Sequence, residues 1–137
     1  MNKDQKLLLF IYQNAKVGRS TLEEVLPTLE SKRLITVIKK QIKNYNDIII
    51  VCNKYLIKNN DIIEETQLIP RISTYTGVKS NYQNNNQLTM ALMQSTHLGS
   101  LDLEKILKED YSKQSIKDLG DRLLKCEKGF VKKLNNI

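Results

Sequence analysis

The chain has 137 residues, of which 40% are apolar, and this supports one hydrophobic core but not two full domains. A net charge of +7 indicates a polyanionic partner or, as we favour, a compositional bias, because the chain contains 18 Lys, 13 Asn and 15 Ile. No apolar stretch approaches the roughly 18 residues of a membrane span, and two cysteines without CxxC spacing indicate reduced thiols, so we expect a cytoplasmic protein.

The first predicted helix covers residues 5–30, because apolar or small residues recur along it at alternating spacings of three and four. The apolar run at its start, residues 7–12, lacks a cleavage site and predicts a helix, not a signal peptide. The alternation continues through Gly18, which favours one unbroken helix over a stop and a capped restart. Pro27 predicts a looser last turn. The recurring residues are Leu8, Ile11, Ala15, Gly18, Leu22, Val25 and Leu29.

The second predicted helix covers residues 32–60 and begins behind Ser31, whose side chain is suited to cap it. Because only two or three residues join these two long helices, they are predicted to form an antiparallel hairpin. Neither helix can bury its apolar stripe alone. The stripe of the second helix comprises Ile35, Ile38, Ile42, Tyr45, Ile49, Cys52 and Leu56.

Residues 61–85 have the character of a long connection, with Pro70, Gly77 and a polar run near the end. Pro70 allows a short helix over residues 70–79. The segment is too long for a tight turn and long enough to cross the length of a bundle. Its apolar residues either cover the bundle or form a dimer contact; they are Ile62, Ile63, Leu68, Ile69 and Ile72.

Two further helices are predicted over residues 86–109 and 115–135, the last one opened by Ser115 with Asp118 three residues later. Strand alternation between tight turns is absent from the sequence, so the fold class is all-α. The apolar residues of the third helix are Leu88, Ala91, Leu92, Leu98, Leu101 and Ile106. Those of the fourth are Ile116, Leu119, Leu123, Cys126, Phe130 and Leu134.

The order of short, long and short connections predicts a single four-helix-bundle domain over residues 1–137. One long crossover makes the second and third helices parallel, which is the ferritin-like arrangement. The alternative is an up-down-up-down bundle with residues 61–86 as a surface excursion.

The chain also resembles a family of short, uncharacterised bacterial proteins with a ferritin-like four-helix bundle. The resemblance rests on segments of all four predicted helices: residues 11–18, Gln41 with Tyr45, residues 94–102 and residues 123–127. It implies a fold and a cytosolic setting, and it implies no established activity.

A ferritin-like fold raises the question of a di-iron site, which needs a Glu-x-x-His motif on each of two helices. The chain contains one histidine, so two such motifs are impossible. The nearest approximations, Gln94 with His97 and Glu127 with Phe130, each lack a ligand. We therefore predict no metal site, no cofactor, no catalytic residues and no enzymatic activity.

Polar residues at or beside the apolar stripes form the candidate site. Buried polar groups left unpaired cost about 1 to 3 kcal/mol, so those that face inward must meet one another, water or a ligand. We interpret them as a hydrogen-bonded layer that fixes helix register; a small-ligand pocket or the remnant of a metal site is the alternative. The candidates are Tyr12, Gln41, Tyr45, Gln94, His97, Asp102 and Glu127.

The function predicted from these features is action through the surface, by self-association as a homodimer or by interaction with a protein partner. Weak nucleic-acid binding is a further alternative, although only four arginines and no helix-turn-helix or aromatic platform accompany the lysines. The lysines concerned, on the second and fourth helices, are Lys39, Lys40, Lys43, Lys54, Lys58, Lys117, Lys125, Lys128, Lys132 and Lys133.

Overall fold

A computed structural model of the chain describes residues 2–58 and 84–137. Across these two ranges the chain forms four α-helices and no strand, which confirms the all-α prediction. The predicted crossover lies outside the described residues, except for positions 84 and 85. This includes its predicted short helix 70–79 and its apolar residues. The helices are α1 (Lys3–Val25), α2 (Lys32–Lys58), α3 (Asn85–Leu107) and α4 (Gln114–Asn135).

Helix α1 is continuous through Gly18, as predicted, but it ends five residues before the predicted boundary at residue 30. Its start is fixed by a capping box between Asn2 and Gln5. Pro27 cannot donate the hydrogen bond of a continuing α-helix, so residues Leu26–Thr28 form one 3-10 turn instead. The recurring apolar and small residues predicted for this helix, Leu29 beyond its end included, are all buried.

Helix α2 begins behind Ser31, whose Oγ accepts a hydrogen bond from the Leu34 amide at 3.2 Å, as predicted. The buried stripe is shifted from the predicted one. Ile35 and Ile42 are only half-buried, because Leu34, Gln41 and Ile48 occupy the inner positions beside them. The predicted residues that are buried are Ile38, Tyr45, Ile49, Cys52 and Leu56.

The predicted inner face of helix α3 is wrong in part. Leu98 and Leu101, expected in the core, are 54% and 40% exposed. The inward face instead follows a spacing of four and three through small and polar residues, and the hydroxyl of Ser100 donates to the Thr96 carbonyl. The inward residues are Leu88, Leu92, Thr96, Gly99, Ser100, Leu103 and Leu107.

Helix α4 begins at Gln114, and Ser115 is not its cap. The residue before the helix, Lys113, makes no capping bond with its side chain. Its backbone amide donates to Oδ1 of Asp4 on α1 at 3.4 Å, so a carboxylate from another helix binds at this end. The predicted apolar stripe is buried, except that Cys126 is half-buried and Glu127 beside it is fully buried.

Contacts along the helices set their directions. Asp4 meets Lys113 and Asn14 meets Glu127, so α1 and α4 run the same way. Helix α3 runs opposite to α4, because a Cβ on Gly99 would approach Glu127 and a Cβ on Gly120 would approach Leu107. The short connection makes α1 and α2 antiparallel; α2 therefore runs opposite to α4 and in the same direction as α3.

Candidate functional site

A buried carboxyl lies where all four helices meet. Asn14 on α1 donates its side-chain amide to Oε1 of Glu127 at 2.6 Å, and the Tyr45 hydroxyl on α2 lies 3.5 Å from Oε2. Gly99 on α3 faces the pair, since a Cβ there would lie 3.7 Å from Oε2. We call Asn14, Tyr45, Gly99 and Glu127 the carboxyl layer.

Burial changes the protonation of this carboxyl. Glu127 is fully buried, and loss of solvation raises its pKa to about 8, although the hydrogen bonds from Asn14 and Tyr45 act in the opposite direction. The raised pKa favours the protonated, neutral form of this carboxyl. A neutral carboxyl needs no counter-charge, which is why a single Glu is tolerated in this position.

The carboxyl layer fixes helix register more readily than it binds a substrate. Asn14 and Tyr45 are 1% and 0% exposed, so a substrate cannot reach the layer while the helices stay packed. One acceptor, Oδ1 of Asn14, is buried without a hydrogen-bond partner in the described part of the chain. A Cβ on Gly99 would lie 3.8 Å from that oxygen, so a small residue on α3 leaves space beside it.

Of the seven candidate site residues, only Tyr45 and Glu127 come together. Tyr45 and Glu127 belong to the carboxyl layer, and Gln41 is buried one helical turn away from Tyr45. Gln94 and His97 are exposed, and Tyr12 and Asp102 are half-buried, so these four residues do not join the layer. The Tyr12 ring instead lies 5.2 Å from the Lys16 ammonium.

Asn14 was missing from the candidates. Its position supplies a signal, because it lies three residues after Ile11 and four before Gly18, both of which belong to the predicted stripe. The spacing therefore predicts an inward-facing side chain for Asn14, as it does for Gln41.

Within residues 2–58 and 84–137, no group of three His, Cys, Asp or Glu side chains is placed to hold a metal ion. Both cysteines are free thiols. Burial raises the pKa of each to about 12, so neither is a ready nucleophile at neutral pH.

A second feature opens on the surface between α2 and α4. It is a groove of about 280 Å³, and we call it the basic groove. Four of the residues around it are cationic and none is acidic. Its lining residues are Val37, Lys40, Gln41, Asn44, Arg122, Lys125, Cys126, Gly129, Phe130 and Lys133.

Two lysines on the same helices, outside the basic groove, form ion pairs. Lys43 pairs with Asp47 at 3.0 Å, and Lys128 pairs with Glu104. Over the described ranges, no ion pair involves any of the four groove cations; these are Lys40, Arg122, Lys125 and Lys133. Repulsion among them is relieved by an anion, so the groove is electrostatically suited to bind one.

The floor of the groove adjoins the carboxyl layer. The Gln41 amide nitrogen lies 3.8 Å from Sγ of Cys126, and Oε1 of Gln41 accepts a hydrogen bond from Asn44 at 3.2 Å. Cys126 directly precedes Glu127. The floor is therefore uncharged when Glu127 is protonated, and the charges lie on the rim.

Comparisons of the chain with protein-family models, curated proteins and solved structures find no match. Among the described helices, none combines the length and apolar character needed to cross a membrane. We therefore infer the function from the carboxyl layer and the basic groove.

Proposed function

We propose that this chain is a non-catalytic helical-bundle protein that binds an anionic ligand in the basic groove. The observation that carries the proposal is the grouping around one groove of four cations that form no ion pair within the described residues, with no acidic residue in the lining. Surface lysines are usually solvated and scattered. Their convergence on a concave site is unlike the even spread that compositional bias alone would produce.

The carboxyl layer supports a binding role over a catalytic one. Its polar groups contact one another and are closed to solvent, so they act as a register-fixing layer between four helices. This assigns Glu127 a structural role. It also leaves the basic groove, whose four cations are exposed, as the site open to a ligand.

The ferritin-like arrangement, membership in the bacterial family and the cytoplasmic setting are parts of the same proposal. The shared direction of α2 and α3 supports the arrangement, because a connection between two parallel helices must cross the length of the bundle. The absence of a dinuclear ligand set among the described residues fits a binding protein that uses this architecture without redox chemistry.

Nucleic acid is a less suitable ligand than a compact anion. A nucleic-acid interface neutralises several phosphates along an extended track. Of the ten lysines on α2 and α4 considered for that role, only Lys40, Lys125 and Lys133 line the groove, and Lys43 and Lys128 are already paired.

Binding of fluorescein-labelled heparin tests the proposal, because its sulfate groups report on the anion affinity of the groove cations even though the polymer itself is longer than the groove. The variant Lys40→Gln/Lys125→Gln removes two charges from the groove, and Lys43→Gln/Lys128→Gln removes two from the same helices outside it. We expect the groove variant to reduce the slope of log affinity against log salt by about two. The control should change it far less. Equal effects of both variants would mean that net charge, and no particular site, governs binding.

Self-association is a second candidate, favoured by the exposed apolar residues of α3. Met90, Leu98 and Leu101 are 70%, 54% and 40% exposed. Sedimentation velocity at high concentration tests it, with Leu98→Ser/Leu101→Ser as the variant. A wild-type dimer that the variant dissociates supports a homodimer through α3, and a monomeric wild type removes this candidate.

A further inference from the structure

The basic groove has two unlike ends, and this difference specifies the ligand. Because α2 and α4 are antiparallel and Gln41 lies beside Cys126, Asn44 falls near Arg122 while Val37 falls near Phe130. The first end offers a guanidinium and an amide. The second offers a branched aliphatic and an aromatic side chain, with Lys133 one helical turn beyond Phe130 at its edge.

We propose that the occupant of the basic groove is a small organic acid, with its anionic head at Arg122 and its apolar body along Val37 and Phe130. This inference rests on the proposed function and narrows the class of ligand from any anion to an amphipathic anion. Carboxylate, sulfonate and phosphate heads share the required chemistry, since a guanidinium binds each through paired hydrogen bonds.

The size of the groove favours a small molecule over a folded partner. Its volume of about 280 Å³ lies just below the range typical of small-molecule pockets. From Arg122 to Lys133 the rim extends along eleven residues of α4, or about 16 Å at 1.5 Å per residue. A stable protein interface buries about 800 Å² per partner, far more than this groove offers.

Gly129 leaves open the end of the groove formed by Val37 and Phe130. A Cβ built on this residue would have no atom of the described residues within 4 Å, so the glycine is not required by helix packing. A longer side chain at this position would fill the space along Val37 and Phe130. Gly129 therefore provides a substitution that blocks the groove without disturbing the core.

The uncharged floor selects an apolar body over a second charge. Cys126 is a neutral thiol, and the Gln41 amide already contacts Cys126 and Asn44. A charged body lying on this floor would lose solvation against uncharged contacts.

Three matched probes separate the contributions of the two ends: octanoate has the head and the body, 1-octanol has the body alone, and acetate has the head alone. Binding is followed by NMR of the full chain through the methyl signals of Val37, with Leu8 in the core as a reference. We expect octanoate to saturate these shifts at least tenfold more tightly than either of the other probes. Equal binding of 1-octanol would overturn the assignment of the head to Arg122.

Variants then locate the site. Gly129→Ala should retain octanoate binding, whereas Gly129→Leu should weaken it at least tenfold, with unchanged helical circular dichroism in both. Arg122→Gln should weaken octanoate but leave 1-octanol unchanged. Undiminished octanoate binding to Gly129→Leu would place the ligand elsewhere and overturn the inference.

Failure of this inference is distinguishable from failure of the proposed function. If heparin binding depends on Lys40 and Lys125 but octanoate does not saturate, the groove binds anions and the amphipathic ligand is wrong. If neither probe depends on groove residues, both proposals are wrong.

Discussion

The side-chain amide of Asn14 donates to Oε1 of Glu127 across 2.6 Å, and this bond joins residues 113 positions apart in the chain. It connects the first helix to the last, next to Tyr45 of α2 and Gly99 of α3. A contact of such long sequence separation forms only when the whole bundle is assembled. The protonation of Glu127 is therefore coupled to folding.

The stability of the protein should fall as the pH rises from about 4.5 to about 8. The unfolded carboxyl titrates near its ordinary pKa of 4.5, and burial raises the pKa to about 8 in the folded state. The stabilisation from Glu127 is thus fully present below pH 4.5 and is lost as pH rises through 8, at up to about 1.4 kcal/mol per pH unit. Cys126, the neighbour of Glu127 in the chain, is neutral in this range because burial raises its pKa to about 12.

Urea denaturation at pH 5 and pH 8 measures this effect, with Glu127→Gln as the comparison. The glutamine keeps an acceptor for Asn14 and does not ionise, so its free energy of unfolding should depend less on pH. At pH 8 the variant should be more stable than the wild type by a few kcal/mol. A wild type and variant with parallel pH profiles would show that Glu127 does not carry the linkage.

Gly18→Ala should destabilise the protein by about 1 to 3 kcal/mol, because it overpacks the contact between α1 and α2. A Cβ on Gly18 would lie 2.6 Å from Cε2 of Tyr45, whose ring is completely buried and has no room to withdraw. Gly129→Ala is the matched control. It should be neutral or stabilising by up to about 1 kcal/mol, since alanine favours the helix and its Cβ contacts nothing among the described residues.

Thermal or urea unfolding of both variants checks the comparison. The double variant Gly18→Ala/Tyr45→Leu should recover part of the loss, because the smaller side chain vacates the space that the new methyl group requires. No recovery would assign the effect of Gly18→Ala to the helix backbone instead.

Asp4→Ala should destabilise the bundle by about 0.5 to 2 kcal/mol, the range typical of a lost helix cap. Asp4 is 6% exposed, and its Oδ1 accepts from the Lys113 amide at the start of α4. Ser115→Ala should change stability by less than about 0.5 kcal/mol, although the sequence pattern made Ser115 the cap. A larger loss of stability for Ser115→Ala than for Asp4→Ala in urea denaturation would mean that Ser115 caps α4.

The sequence predicts the inward-facing residues of a helix well where apolar residues form that face. In α1 and α4 almost every residue that the alternating spacing marks is buried, and Ser31 and Gly18 behave as expected, but α1 also buries seven residues outside that spacing. The spacing fails in α3, where the inner face carries Thr96, Gly99 and Ser100. Local periodicity counts apolar residues, whereas helix packing also needs small ones, and only the neighbouring helices determine where those lie.

The candidate site shows the same division. Glu127 and Tyr45 could be predicted because they interrupt or occupy apolar stripes. Gln94 and His97 could not be excluded, since their exposure follows from the rotation of α3 that periodicity missed. The basic groove forms only when α2 packs against α4. The sequence of either helix alone does not show which residues of the other helix it will face. Lys40 and Lys43 look alike in sequence, and only the fold distinguishes the groove residue from the paired one.

Substitutions on α3 test this rotation directly. Leu103→Ala should cost about 2 to 5 kcal/mol, because Leu103 is completely buried and its removal leaves a cavity. Leu101→Ala, two residues away and 40% exposed, should cost less than about 1 kcal/mol. Both changes delete the same atoms from the same helix, so intrinsic helix propensity cancels in the comparison. Urea denaturation of the two variants at low protein concentration keeps any self-association through Leu101 out of the measurement. Equal losses of stability in the two variants would mean that Leu101 is buried in the core and that α3 faces inward with the residues that the apolar pattern predicts.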